Sequence, residues 1–284
     1  MYLCIVSIHR IVIEPNSSSK HYWREIWQYR ELLFFLAWRD ISVRYKQTVI
    51  GVAWSIIRPG LTIGLAAFIN WINNKSVVDG IPVLVLSSVS TIPWILFSSV
   101  FSDSSNSLLS NSNLLTKVYF PRLIVPLSTV VVCLVDFLIS LLILVLVMLF
   151  YGIAPGLELL LLPLFIVLAV VAAGGAGFWM ASLNVKYRDF RYIIPVITQA
   201  GLFLSPVLFS SSAIYRGDYP EILKYAWSLN PVVAIVEGFK VSFLGFDKFV
   251  FHPAMYLSLG MSVLLLIFGI SYFKKTEKEF SDVI

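Results

Sequence analysis

The sequence predicts an all-α membrane protein: six transmembrane helices, an N-terminal cytoplasmic amphipathic interface helix, and short re-entrant or interfacial helices before the last span. Three observations carry this. Hydrophobic residues make up 58% of the chain and charged ones only 13%, where a soluble chain carries charge on about a quarter of its residues. Apolar runs long enough to cross a bilayer, which takes ~20 residues, recur along the sequence. The basic residues punctuate those runs. A net charge of +5 distributed in this way suits a membrane surface and argues against a nucleic-acid partner.

Residues 1–20 read as an extension. MYLCIVSIHRIVI superficially resembles a secretory leader, but it lacks a basic start and is interrupted by His9 and Arg10. Pro15 to Ser19 reads as a flexible joint, and no function attaches to this stretch. Residues 21–51 form an entry region. Within it and just beyond, WRDISVRYKQTVIGVAWSIIRP at 38–59 feeds a basic amphipathic run into an apolar one. Arg39, Arg44 and Lys46 can sit among headgroups while Ile41, Val43, Val49 and Ile50 dip below them, the pattern of a helix lying on a membrane and then turning in.

A six-span domain is expected over 52–273, followed by a cytoplasmic tail at 274–284. The spans are placed at Val52–Ile72, Val89–Leu109, Leu123–Phe150, Leu159–Ser182, Ile193–Ala213 and Pro253–Phe273. The third and fourth are the clearest, because only Asp136 and Glu158 are charged between Arg122 and Lys186. Tyr151 to Gly156 makes the turn between them. With both termini cytoplasmic, only five of the 21 basic residues fall outside: Lys75, Arg216, Lys224, Lys240 and Lys248. That asymmetry sets the orientation. Between Ser211 and Lys248 the amphipathic pieces are too polar to span, and Pro220, Asn230 and Pro231 break them into short helices. Tyr215, Tyr219, Tyr225, Trp227 and Phe239 suit an outer-leaflet interface, with a plain external loop as the alternative.

Five pieces, in this order, resemble the permease subunit of ABC-2 type polysaccharide exporters, which move O-antigen, teichoic acid or capsule chains. They are WRDISVRYKQTVIGVAWSIIRP at 38–59, TKVYFPRLIVPL at 116–127, NVKYRDFRYIIPVITQ at 184–199, LSPVLFS at 204–210 and NPVVAIVEGFK at 230–240. The resemblance runs from about Trp23 to the end. It implies a homodimer of this subunit in a bacterial inner membrane, two cytoplasmic ABC ATPase subunits, and a lipid-linked glycan threaded between the permease halves. It also implies that ATP and Mg belong to the partner. The chain itself has no GxxxxGK[ST] phosphate loop, so a nucleotide motor would be a separate subunit.

The resemblance places ATPase coupling on the entry helix, with Arg39, Asp40, Arg44, Tyr45 and Lys46, and on the loop carrying Asn113, Thr116, Lys117, Tyr119, Phe120 and Arg122. Charged and aromatic residue types suit such a contact; a headgroup-anchored loop is the bland alternative. In the second span, helical periodicity places Trp94, Phe97 and Phe101 on one face and Ser99, Asp103, Asn106 and Ser110 on roughly the opposite one. Either face could line a glycan path, the aromatics by stacking on sugar rings and the polar groups by exchanging hydrogen bonds. Lipid contact and helix packing are the alternatives.

Asp103 and Asp136 are expected at membrane depth, where each needs a partner, water or a proton, and Arg58 is the one basic candidate at similar depth. Gly174 to Gly177 reads as a close helix approach. NVKYRDFR at 184–191 reads as a topology anchor with local pairing of Asp189 to Arg188 or Arg191, and Glu237 with Lys240 as an external i, i+3 surface pair. His9, His21 and His252 are scattered. There is no HExxH, GxSxG or paired-cysteine pattern. The rival readings are an ABC-2 exporter of a small hydrophobic compound or lipid, and a membrane-embedded glycan-processing enzyme. The enzyme would require a large loop with a carboxylate or arginine constellation, which the sequence lacks.

Overall fold

A computed structural model describes residues 19–46, 53–72, 77–78, 80–187, 189–208, 211–246 and 252–280. The 1–18 extension, the join at 47–52 and Arg188 lie outside the described residues.

The entry region is two helices, α1 (Ser19–Gln28) and α2 (Arg30–Lys46), with Tyr29 between them. Backbone bonds from Tyr29 N to Glu25 O and from Leu33 N to Tyr29 O keep the pair nearly continuous. α2 buries Leu36 and Ala37 yet leaves Phe34, Phe35 and Trp38 exposed. Apolar residues therefore lie all round it, and it does not have the two-faced character expected of a surface-lying helix.

α3 (Ala53–Ile72) carries Pro59 and exposes much of its apolar surface, including Leu61, Leu65 and Phe68. A two-residue antiparallel pair, Val77–Val78 with Ile81–Pro82, follows, and its turn uses Gly80 at φ 78°. α4 (Val83–Ser110) is the central helix, packed on α3 and on the later helices at 124–150, 162–186, 190–203 and 231–244. It is rich in serine, and several of these hydroxyls are satisfied within the helix: Ser88, Ser90 and Ser105 each donate to the carbonyl four residues back. Back-bonding of this kind lets hydroxyls be buried without an external partner.

α5 (Ser112–Leu115) is one turn, and α6 (Ile124–Phe150) runs back. A turn with Gly152 at φ 67° and a 3-10 turn at Leu157–Leu161 lead into α7 (Leu162–Lys186). α8 (Phe190–Phe203), α9 (Ser211–Tyr215), α10 (Glu221–Ser228), α11 (Pro231–Leu244) and α12 (Met255–Thr276) complete the chain, with a 3-10 turn at Glu277–Glu279.

Among the described residues, four helices have the length and apolarity to cross a bilayer: 83–110, 124–150, 157–186 and 255–279. α3 and α8 are apolar but fall outside that group. The fifth expected run is not one helix, because α8 ends at Phe203 and residues 204–208 turn. At ~1.5 Å per residue, its 14 residues span roughly 21 Å, short of a ~30 Å hydrocarbon core.

The small residues of α7 act as expected. A Cβ on Gly269 of α12 would lie 2.0 Å from Gly175 O, and one on Gly177 would lie 2.8 Å from the Ser104 side chain of α4. α7 is thus wedged between α12 and α4, each contact made possible by a missing side chain. On the outer faces, Leu138, Leu142 and Leu149 of α6 and Val263, Leu264 and Ile267 of α12 stand exposed, a surface suited to lipid.

Candidate functional site

α2 packs along α6 and reaches α4 through side-chain contacts. Near its middle, Arg39 Nη2 donates to Asn111 Oδ1 at 2.7 Å, while Nε donates to Asp40 Oδ1 at 2.8 Å. Farther along, Arg44 pairs with both Asp103 of α4, at 3.1 Å, and Asp136 of α6. Tyr45 Oη donates to the other oxygen of Asp136 and accepts from Ser55 Oγ of α3 at 3.1 Å. Four helices meet there.

The two carboxylates do have a partner, as their placement required. It is Arg44 and not Arg58, whose side chain is exposed on α3. Arg44 is thus turned toward these two carboxylates. Asp136 lies 12 residues into α6, ~18 Å along it, and α2 brings the guanidinium to that level. Helical periodicity within α2 carries no information about which neighbour it meets, so the pairing was invisible in the sequence. Lys46 is exposed.

The loop between α4 and α6 divides into an exposed tip and a buried base. Asn113, Thr116, Lys117 and Tyr119 are exposed, Tyr119 at 66%, whereas Phe120 is only 4% exposed. Phe120 packs in an apolar cluster with Leu36, Leu108, Phe178, Phe273 and Phe280. Arg122 turns inward: its backbone N–H donates to Glu277 Oε1 and its Nη1 to Glu277 O, both at 2.7 Å. Neither Phe120 nor Arg122 is presented as an outward-facing anchor, because the base of the loop closes the apolar cluster at this end of the bundle.

Tyr22 Oη donates to Glu277 Oε2 at 2.8 Å. Burial and the adjacent Glu277 carboxylate push the Tyr22 phenol well up, so it remains a donor. Lys186 pairs with Glu279 at 3.3 Å, tying the end of α7 to the 277–279 turn.

Trp94, Phe97 and Phe101 do share a face and stack in series, with centroids 5.7 and 6.4 Å apart. That face is buried within the chain. Gly201 of α8 lies so close to the Trp94 ring that a Cβ there would approach it to 2.4 Å. Ser99, Asp103 and Asn106 remain partly exposed, and Ser110 is exposed. Asn184 Nδ2 of α7 ties into this polar side by donating to Ser105 O at 3.0 Å and to Asn106 Oδ1 at 3.2 Å.

At the opposite end, Asn230 caps α11 by accepting from Val232 N at 3.0 Å, and its Nδ2 donates to Leu204 O at 2.8 Å. Short helices do form here, and α11 folds into the bundle, its Phe239 meeting Phe137 midway along α6. Glu237 and Lys240, 5% and 8% exposed, are consequently a buried pair at 2.8 Å and not a surface pair; Lys240 also donates to Pro206 O at 3.3 Å. Among the described residues, no group of three or more His, Cys, Asp or Glu comes together that could hold a metal ion.

The ABC-2 type transporter family matches residues 31–244, which include all of α2 but its first residue, the Asp103 and Asp136 partners of Arg44, and the 111–122 loop. The chain belongs to that family. It is 27% identical over 261 residues to the O-antigen export system permease protein RfbA of Myxococcus xanthus, covering 92% of this chain and 98% of that protein. A protein of the same name from Klebsiella pneumoniae is 24% identical over 256 residues, covering 89% and 95%. The polysialic acid transport protein KpsM of Escherichia coli is 26% identical over 207 residues, covering 70% and 76%. In this ABC-2 chain the Arg44 cluster thus joins α2 to α4 and α6 within the family-matching segment, whereas Glu277 lies beyond it.

Proposed function

We propose that this chain is the permease subunit of an ATP-driven exporter of a lipid-linked, O-antigen-like polysaccharide in a bacterial inner membrane. The observation that carries the reading is the nearly end-to-end likeness to the Myxococcus xanthus O-antigen export permease. Two copies of the chain would flank the glycan, and two ABC ATPase subunits would supply ATP and Mg. α3 and α8 would complete six crossings, with both termini cytoplasmic, in keeping with the asymmetry of basic residues.

The geometry supports a route for coupling. The exposed tip at Asn113, Thr116, Lys117 and Tyr119, with Arg39 and Asp40 of α2, would receive the ATPase. Arg44 and Tyr45 would pass movement of α2 to α4 and α6 through Asp103 and Asp136. The partly exposed side of α4, with Ser99, Asp103 and Asn106, would face the glycan, while Trp94, Phe97 and Phe101 hold the protomer together.

The test is depletion of the protein followed by extraction of lipid-linked glycans. Full-length polymer stranded on the cytoplasmic face and missing from the surface is the expected result. Normal surface polymer would overturn the reading and favour export of a small hydrophobic compound.

A further inference from the structure

The Lys117–Tyr119 tip faces away from the bundle; Leu114 and Leu115 before it pack against the apolar cluster, and side-chain hydrogen bonds hold the loop at its two ends. Internal bonds such as Lys117 N to Leu114 O, at 3.2 Å, close the turn without fixing where it points. At one end, Asn111 is gripped by Arg39 of α2. At the other, the grip comes from the chain terminus. Glu277 accepts three hydrogen bonds, two from Arg122 at the loop base and one from Tyr22 of α1. Its neighbours brace the same corner. Lys274 Nζ lies 4.3 Å from the Tyr22 ring centroid and 4.8 Å from that of Trp23, Arg122 lies over the Phe280 ring at 5.8 Å, and Phe280 meets Phe273 edge-on at 5.6 Å.

We propose that Glu277 is a positioning residue for ATPase coupling: the terminal segment clasps the loop base and α1 together and so sets the direction in which the Lys117–Tyr119 tip is presented. The proposal rests on the reading of that tip as the ATPase contact. A carboxylate suits the role because it can accept from a backbone N–H and a phenol at once. Bonds to an ionised acceptor are also stronger than those between neutral groups. Sequence separation gives the clasp its meaning, since it joins residues 22, 122 and 277, which no local element holds together.

The test uses the full-length permease in lipid nanodiscs and, as probe, the ABC ATPase subunit that co-purifies with the wild type. Affinity for the ATPase and the thermal midpoint of the permease alone are measured in parallel. Glu277→Ala is expected to weaken ATPase binding about tenfold, the scale of losing charge-assisted hydrogen bonds. Glu277→Gln keeps an oxygen for the Arg122 N–H and should recover much of it, binding about threefold below wild type with an unchanged midpoint. If Glu277→Ala does not fold, Glu277→Gln alone decides. Wild-type affinity in the folded variant overturns the proposal, as does an affinity loss that merely follows the midpoint. Lys117→Ala with Tyr119→Ala separates the two levels. If that pair leaves binding unchanged, the tip is not the ATPase contact and the proposal falls with that reading. If it weakens binding while Glu277→Ala does not, only the clasp fails.

Discussion

The two ends of the bundle use polar side chains in opposite ways. At the α10–α11 end, Glu237 and Lys240 are buried one turn apart on the same helix. At the α1–α2 end, the polar contacts are partly exposed and join residues far apart in sequence: Arg39 with Asn111, Arg44 with Asp103 and Asp136, Tyr22 and Arg122 with Glu277. A buried pair within one element fixes that element in place. Partly exposed ties between elements can shift together when a partner pushes on one of them. On the proposed reading, the first end serves stability and the second transmission.

The hardest test of this contrast is Lys240→Ala, which leaves the Glu237 carboxylate buried without its cation. Breaking such a pair costs about 3–5 kcal/mol, so a large fall in thermal midpoint is expected. Replacing both, as Glu237→Leu with Lys240→Met, should restore much of the loss, because apolar substitutes avoid the desolvation of two charges. A single variant as stable as the wild type would remove the distinction between the ends.

Phe120→Ala and Lys117→Ala with Tyr119→Ala separate the loop base from its tip. Emptying the Phe120 site should cost about 3 kcal/mol of stability. The exposed pair should leave the midpoint unchanged and lower co-purification of the ATPase. Equal effects on both readouts from both variants would erase the division between tip and base.

Asp136→Asn comes next. It weakens the contacts with Arg44 and Tyr45 and should cost about 1–3 kcal/mol, the range for hydrogen bonds to charged groups. Surface polymer should fall several-fold while the ATPase still co-purifies. Unchanged export would show that α2 does not act through α6.

These variants also mark where the sequence could be read and where it could not. The four long helices were legible because bilayer-length apolar runs leave no other structure for the backbone in lipid. The shared face of Trp94, Phe97 and Phe101 followed from periodicity. What covers that face, Gly201 of α8, is a tertiary fact. Likewise, Asp103 and Asp136 announced a need for a partner without naming Arg44, and the i, i+3 spacing of Glu237 and Lys240 revealed a pair but not its burial. Tyr119 and Phe120 are adjacent aromatics in one loop, and only packing of the loop base against α2 and α12 decides which turns inward. The break after Phe203 was hidden because the carbonyls of Leu204 and Pro206 are taken up by Asn230 and Lys240, residues of a later segment.

The smallest effect is expected from Glu221→Gln at the α10–α11 end. Glu221 is exposed, pairs with Lys224 at 2.9 Å, and has His252 at 3.6 Å. The hydrogen bond from Lys224 holds its carboxyl below the ordinary value. A group depressed in this way stabilises the fold above its unfolded-state pKa, and that contribution disappears as pH falls through the folded value. Solvent screens the Glu221 carboxylate, 63% exposed, more than Lys224, 12% exposed, so the thermal midpoint at neutral pH should fall only slightly and its acid dependence stay near that of the wild type. Adjacent helices α10 and α11 would then contain one ion pair whose loss is severe and another whose loss is slight, 5% exposure of Glu237 against 63% exposure of the Glu221 side chain being the difference. A clear fall in midpoint for Glu221→Gln would mean that burial is not what makes the Glu237–Lys240 pair matter.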